Sequence, residues 1–268
     1  MDEETKKWYG FLLDMKPRLY TYLDSFPLPY VLFNPVSANP EYLKRNKGLV
    51  KSVILDAGVE IFRDENVTDY PSGHIYRIVS TYRRICKYVN DVYAVAPDYP
   101  DDICPMRFYV GDKTNIERTV ENAVRVFDEF PNIRWILSIQ ANYRRPNTLL
   151  KCIELYEEVG LLDKTDFVAI ANVCVEKDVD LTIKSVKIVA NRLSNKRIHV
   201  FGPRIDAIYK VKDLVFSFDT FSWTYYSSKS GLYRCSGPIQ RKKFFLNFLR
   251  HIAPRFSRYS GPTLNEYI

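Results

Sequence analysis

Seven short apolar runs, each separated from the next by a stretch of helical character, constrain what this chain can fold into. They are 30–34 (YVLFN), 52–56 (SVILD), 92–98 (VYAVAPD), 135–140 (WILSIQ), 167–172 (FVAIAN), 198–202 (IHVFG) and 214–219 (LVFSFD). Their apolar character is nearly continuous rather than alternating, which is how a strand buried on both faces of a parallel sheet reads. Helices are expected between them at 74–88, 114–130, 148–159 and 179–193, with another at 239–252. In the first, Ile75, Ile78, Val79, Tyr82 and Ile85 form an apolar stripe at helical spacing. In the second, Thr114 followed by Glu117 matches the capping box. Strands alternating with helices give right-handed crossovers and a parallel sheet. An open dinucleotide-binding sheet carries a glycine-rich loop after its first strand, and no such loop follows residue 34. The expected fold is α/β, a TIM-type (β/α)8 barrel with its eighth strand unplaced, and an open doubly wound sheet is the fallback. At 268 residues one domain accommodates it, with a barrel core over about 28–225 and a basic helical tail over about 226–268.

In such a barrel, functional groups gather where the strands end. Asp56, Asp98 and Asp219 terminate three of the runs, and Gln140, Asn172 and Gly202 terminate three more. An aspartate at a strand end also serves as a helix cap or turn residue, but three on separate strands converge on one mouth. Gly58, two residues after Asp56, permits a sharp turn or a close approach of backbone to ligand. Asp98 lies in the rigid acidic run Pro97–Asp102, and Asp219 stands among Phe218, Phe221 and Trp223. Aromatic surroundings desolvate a carboxylate and tune it. His74 and His199 stand alone and read as structural histidines.

The formal charge is +7, with 39 basic against 32 acidic side chains. That surplus favours an anionic partner such as nucleic acid. Candidate phosphate contacts are Arg83, Arg84 and Lys87 on one helix, Arg144 and Arg145 just beyond Gln140, and Arg241, Lys242 and Lys243 in the tail. Tyr143, Trp223, Tyr225 and Tyr226 are candidate stacking platforms as well as core residues. The five cysteines form no C-x-x-C pair, the N-terminus is acidic, and no run reaches the length of a membrane span. Reduced thiols, a cytoplasmic location (the host cytoplasm for a viral protein) and no membrane partner are the expectation.

The ordered strand ends resemble those of the tRNA-guanine transglycosylase superfamily, and within it the shorter DpdA-like branch that places 7-deazaguanine bases in DNA. The resemblance spans about 30–223. It rests on Asp56-Ala57-Gly58-Val59-Glu60-Ile61-Phe62, then Asp98, Gln140, Ala169-Ile170-Ala171-Asn172, His199-Val200-Phe201-Gly202 and Phe218-Asp219. Two positions depart from the family pattern: Ala57-Gly58 replaces a double glycine, and Ala171-Asn172 replaces a glycine-rich loop. The family's structural zinc cluster is also missing, since only Cys235 and His251 follow Asp219. No cofactor, no metal and no zinc subdomain are therefore expected.

The resemblance implies replacement of guanine in DNA by a free 7-deazaguanine base, such as 7-cyano-7-deazaguanine, through a covalent Asp–glycosyl intermediate. It assigns the nucleophile to Asp219 and the proton shuttle to Asp56. Base recognition falls to Asp98, Gln140 and Asn172, with Gly58 and Gly202 shaping the pocket. The alternatives are the same exchange on tRNA (archaeosine or queuosine type), a two-carboxylate barrel hydrolase, and a non-catalytic nucleic-acid-binding barrel. The chain shows no RNA-binding module after the barrel, which favours DNA.

Overall fold

A computed structural model describes residues 13–14, 30–35, 41–45 and 47–219. Eight parallel strands lie side by side in chain order: β1 (Leu13–Asp14), β2 (Tyr30–Phe33), β3 (Ser52–Leu55), β4 (Asp91–Val95), β5 (Trp135–Ile139), β6 (Phe167–Ile170), β7 (Arg197–Val200) and β8 (Ser217–Phe218). The helices are α1 (Glu41–Arg45), α2 (His74–Ile85), α3 (Asn115–Glu129), α4 (Leu149–Glu158), α5 (Val179–Arg192) and α6 (Ile205–Val211). Each strand is bonded to the next, with registers such as Val31↔Val53, Ile54↔Tyr93 and His199↔Ser217. Among the described residues no pair joins β8 back to β1, so what they form is a curled eight-stranded sheet rather than the closed barrel expected from sequence.

Both faces of this sheet are buried, as the continuous apolar runs require. Val53, Leu55, Leu137, Ile139, Val168 and Ile170 face the helices and merge with the stripes of α2 to α6 into one large core. The opposite set, including Ile54, Tyr93, Val95, Ile136, Phe167 and Ala169, forms a second cluster inside the curl. The curl is visible in distances. Tyr93 on β4 and Phe167 on β6 are two strands apart, about 10 Å in a flat sheet, yet their ring centroids are 5.1 Å apart. Arg197 on β7 reaches further still, donating from Nη1 to Tyr93 Oη at 3.0 Å. Its guanidinium lies among Tyr93, Phe167 and Phe216 and is paired with Asp166 at 2.8 Å. Arg134 also donates to Tyr93 Oη and pairs with Asp91 at 2.8 Å. These groups fill the end of the curl where the strands begin. They leave the opposite end, where the strands stop, for other chemistry.

Local sequence explains the boundaries. Thr114 caps α3 as expected, its side chain accepting from Glu117 N while the Glu117 carboxylate accepts from Thr114 N at 2.7 Å. Pro131 follows the end of α3, where a proline disfavours helical backbone in the preceding residue. β4 stops at Val95 rather than at Asp98, because Pro97 has no N–H for the ladder. β8 starts at Ser217 rather than at 214, because Lys212–Leu214 form a 3-10 turn. The short helices α1 and α6 and the two-residue β1 have no counterpart in the expected elements. The expected helix at 239–252 and the tail lie outside the described residues. Thr114→Ala should lower stability by about 1 kcal/mol, read as a lower midpoint in urea unfolding.

Candidate functional site

Asp219 follows β8 directly and is almost fully buried. Its Oδ1 accepts two hydrogen bonds, from Gly202 N at 2.9 Å and from His199 Nε2 at 3.2 Å. Among the described residues its Oδ2 has no hydrogen bond. His199 is the inward residue of β7, between Ile198 and Val200, which face the helices. Its Nδ1 lies 2.9 Å from Ser217 Oγ, and its ring packs edge-on to Phe201 at 4.8 Å. A carboxylate only accepts, so the Nε2 hydrogen faces Asp219, and in the neutral tautomer Nδ1 is left to accept from the serine hydroxyl. Serine, histidine and aspartate in line have the composition of a nucleophilic triad. Here Ser217 is buried two residues deeper in the strand than Asp219, so the carboxylate is the end nearer the mouth.

Asp98 and Gln140 form the second feature. Gln140 Nε2 donates to Asp98 Oδ2, and both side chains are buried. Burial pushes the Asp98 carboxyl up to about 7; the Gln140 hydrogen bond opposes that shift and the Asp102 charge adds to it. Asp102 itself rises to about 6, mainly through burial. Among the described residues, Gln140 Oε1 and, on the next strand end, Asn172 Oδ1 are buried acceptors without a hydrogen-bond partner. Such orphans are rare in folded proteins and suit a ligand rich in N–H groups.

Tyr70 braces the backbone of Asp98 and lies within the field of Asp56. Its hydroxyl donates to Asp98 O at 2.8 Å and accepts from Asp98 N at 3.2 Å. Burial first, then the charges of Asp98 and Asp56, raise its pKa well above the usual tyrosine value. Asp56 is partly buried, and its Oδ1 accepts from Ala57 N at 2.8 Å. His74, at the start of α2, is hydrogen-bonded through Nε2 to Ala57 O at 2.7 Å, and burial lowers its pKa. The strand-end acids thus occupy one end of the curl, each held by backbone or by a buried neighbour.

Other expected residues are placed differently. Gly58 has φ 80°, and an added Cβ there would lie 3.1 Å from Pro35 and 3.2 Å from His74. Its close approach is to the protein's own side chains rather than to a ligand. Gly202, at φ 50°, would drive a Cβ to 2.6 Å from Cys174 Sγ, and its amide is spent on Asp219. Asn172, at φ 61°, donates from Nδ2 to Ala141 O and so ties two strand ends together. Arg144 pairs with Glu176 at 3.6 Å and Asp178 at 3.5 Å, so acids already occupy its guanidinium. Arg145 is exposed and forms no ion pair among the described residues. Asp101 braces a loop, accepting from Met106 N and Tyr143 N at 2.7 Å each. Arg241, Lys242, Lys243, Trp223, Tyr225, Tyr226, Cys235 and His251 lie outside the described residues.

His199 is the site residue that its isolation in sequence concealed. Strand alternation signals it, since a polar side chain between two helix-facing aliphatics points into the curl. Among the described residues no three His, Cys, Asp or Glu side chains are arranged to hold a metal ion, and no helix is long and apolar enough to cross a membrane.

No family model and no curated protein matches the chain. Among solved structures it is similar to the carboxyl transferase domain of Rhizobium etli pyruvate carboxylase. The Y628A form with pyruvate is 10% identical over 90% of this chain and 48% of that one, with a TM-score of 0.39. The form with 3-hydroxypyruvate is 12% identical over 99% of this chain and 51% of that one, with a TM-score of 0.38. The chain spans about half the length of these neighbours. Identity and score at this level leave the chemistry to be read from the chain's own residues.

The raised Asp98 pKa fixes a sign. The folded state holds this proton up to about pH 7, whereas an unfolded aspartate releases it near pH 4. Its contribution to stability is complete below about pH 4 and is lost as pH rises to about 7. Wild type should therefore lose on the order of a few kcal/mol across that interval relative to Asp98→Asn, read from urea unfolding at fixed pH steps.

Proposed function

We propose that this protein is a base-exchange transglycosylase that replaces guanine in DNA with a 7-deazaguanine base. The observation that carries the reading is the Asp219 carboxylate. One of its oxygens is tied to His199 Nε2 and Gly202 N, and the other has no hydrogen bond among the described residues. A carboxylate restrained in this way is oriented for attack on an electrophilic carbon.

In the forward half-reaction the free Asp219 oxygen attacks sugar C1′. The C1′–N9 bond breaks, and its electron pair leaves with guanine N9. Asp56 gives N9 a proton as it departs. In the second half, N9 of the incoming base loses its proton to the Asp56 carboxylate and attacks C1′, releasing Asp219. The Asp98–Gln140 pair accepts the N–H groups of the base edge, and Gln140 Oε1 and Asn172 Oδ1 supply further acceptors. His199 touches no substrate; it is a positioning residue that holds Asp219. The target base must be flipped out or single-stranded to reach the strand ends.

The test is incorporation of labelled guanine into duplex DNA, single-stranded DNA and tRNA, with trapping of the covalent adduct on a denaturing gel. Label in DNA alone is the expected result. Label in tRNA alone would move the substrate to RNA, and no label or adduct with any of them would reject the exchange reaction. Asp219→Asn should abolish the adduct, and an adduct surviving in that variant would put the nucleophile elsewhere. Asp56→Asn should slow exchange about 10²–10⁴-fold while leaving the fold intact.

A further inference from the structure

The outer face of α2 carries a stripe that the strand-end chemistry does not use. Tyr76, Ser80 and Arg83 follow helical spacing on α2, Lys87 lies in the turn just beyond its end, and all four are exposed. With Arg84 and with Phe130 from the end of α3, they line a groove between the two helices. Residues 74–90 contain no acid. Among the described residues, Arg83, Arg84 and Lys87 form no ion pair. Cations on neighbouring surfaces are matched, as in Lys113–Glu121 at 2.6 Å, Arg125–Glu129 at 2.7 Å and Arg192–Glu157 at 2.6 Å. The nearby Glu129 is thus already neutralised by Arg125, and Asp91 by Arg134. The groove keeps an uncompensated positive charge.

Its aromatic content is equally specific. Tyr76 is 60% exposed, and its ring stands edge-on to Phe130 with centroids 5.6 Å apart. A tyrosine in the core would be covered; this one offers a face to solvent between cations. An exposed aromatic face beside unpaired cations in a groove suits a single nucleic-acid strand: charges for its phosphates and a flat surface for a base. A duplex keeps its base faces stacked away and would use only the charges.

The position of the groove is informative. α2 starts beside the acids, where His74 bonds Ala57 O next to Asp56. It ends near the start of β4, where Tyr82 Oη donates to Val92 O at 3.3 Å. Twelve helical residues span about 18 Å, or about five stacked nucleotides. We propose that this groove binds single-stranded DNA flanking the target base, holding the strand along the outside of the sheet while the base enters the strand-end site. The choice of DNA rests on the base-exchange reading; the affinity for a single strand rests on the groove itself.

The experiment is fluorescence anisotropy of the full chain with a labelled thymidine 20-mer over a range of salt. The triple variant Arg83→Gln/Arg84→Gln/Lys87→Gln should flatten the log–log salt slope by about 2. Tyr76→Ala should weaken binding about tenfold without changing the slope. All four positions are exposed, and unchanged melting curves establish that the variants fold. Unchanged affinity and slope in the triple variant would overturn the proposal. So would polyglutamate, or an RNA 20-mer, bound through these residues more tightly than the DNA. Adduct formation on a trinucleotide, too short to reach the groove, should be the same in all variants. If wild type forms no adduct while groove-dependent DNA binding persists, the exchange reaction fails and the groove stands. If the adduct forms and the triple variant binds as wild type does, the groove fails and the reaction stands.

Discussion

Every functional distance in this protein depends on the sheet being curled, and the curl depends on how its inner face is filled. Tyr93 on β4, Phe167 on β6 and Phe216 just before β8 meet around the Arg197 guanidinium. A buried ring of this size contributes roughly 1.5–3 kcal/mol. The cation is only partly desolvated: Tyr93 Oη and the largely exposed Asp166 both accept from its guanidinium. With that end of the sheet packed solid, the strands can converge without collapsing. At the other ends, neighbouring strands bring Asp98 to Gln140, Asn172 to Ala141 O and Asp219 to His199.

The acids there are not equivalent, and their differences arise from neighbours rather than from residue type. Asp219 is held by a ring nitrogen and a backbone amide on one oxygen. Asp98 is enclosed with an amide side chain and pushed towards its protonated form. Asp56 is more open and leans on the amide that follows it. Environments that separate like groups allow one site to hold both an acceptor and a proton carrier.

The apolar runs located seven of the eight strands, because burial on both faces leaves a continuous signature. Thr114 and Glu117 located the start of α3 because a capping box is a local interaction. What sequence concealed was non-local. His199 looked solitary because its partners, Ser217 and Asp219, lie on the next strand rather than nearby in the chain. Gly58 read as a sharp turn or a close approach to ligand; the structure shows the turn, at φ 80°, with Pro35 and His74 against the missing side chain, and Gly202 makes room for Cys174. Arg144 read as a free cation until Glu176 and Asp178, from a different loop, came into range. β1 is too short for any pattern, and only pairing with β2 defines it.

The Asp98–Gln140 corner has a consequence for what can occupy it. A carboxyl poised at about 7 presents one face to acid and another to base, so a proton and the N–H group of a guest contend for the same oxygen. Below that point, a guest that needs the ionised form must first evict the proton, and its affinity falls about tenfold for each pH unit. Above it the corner is ready for such a guest. A guest bound through the ionised carboxyl would have its occupancy coupled to the acidity of its surroundings with no moving part.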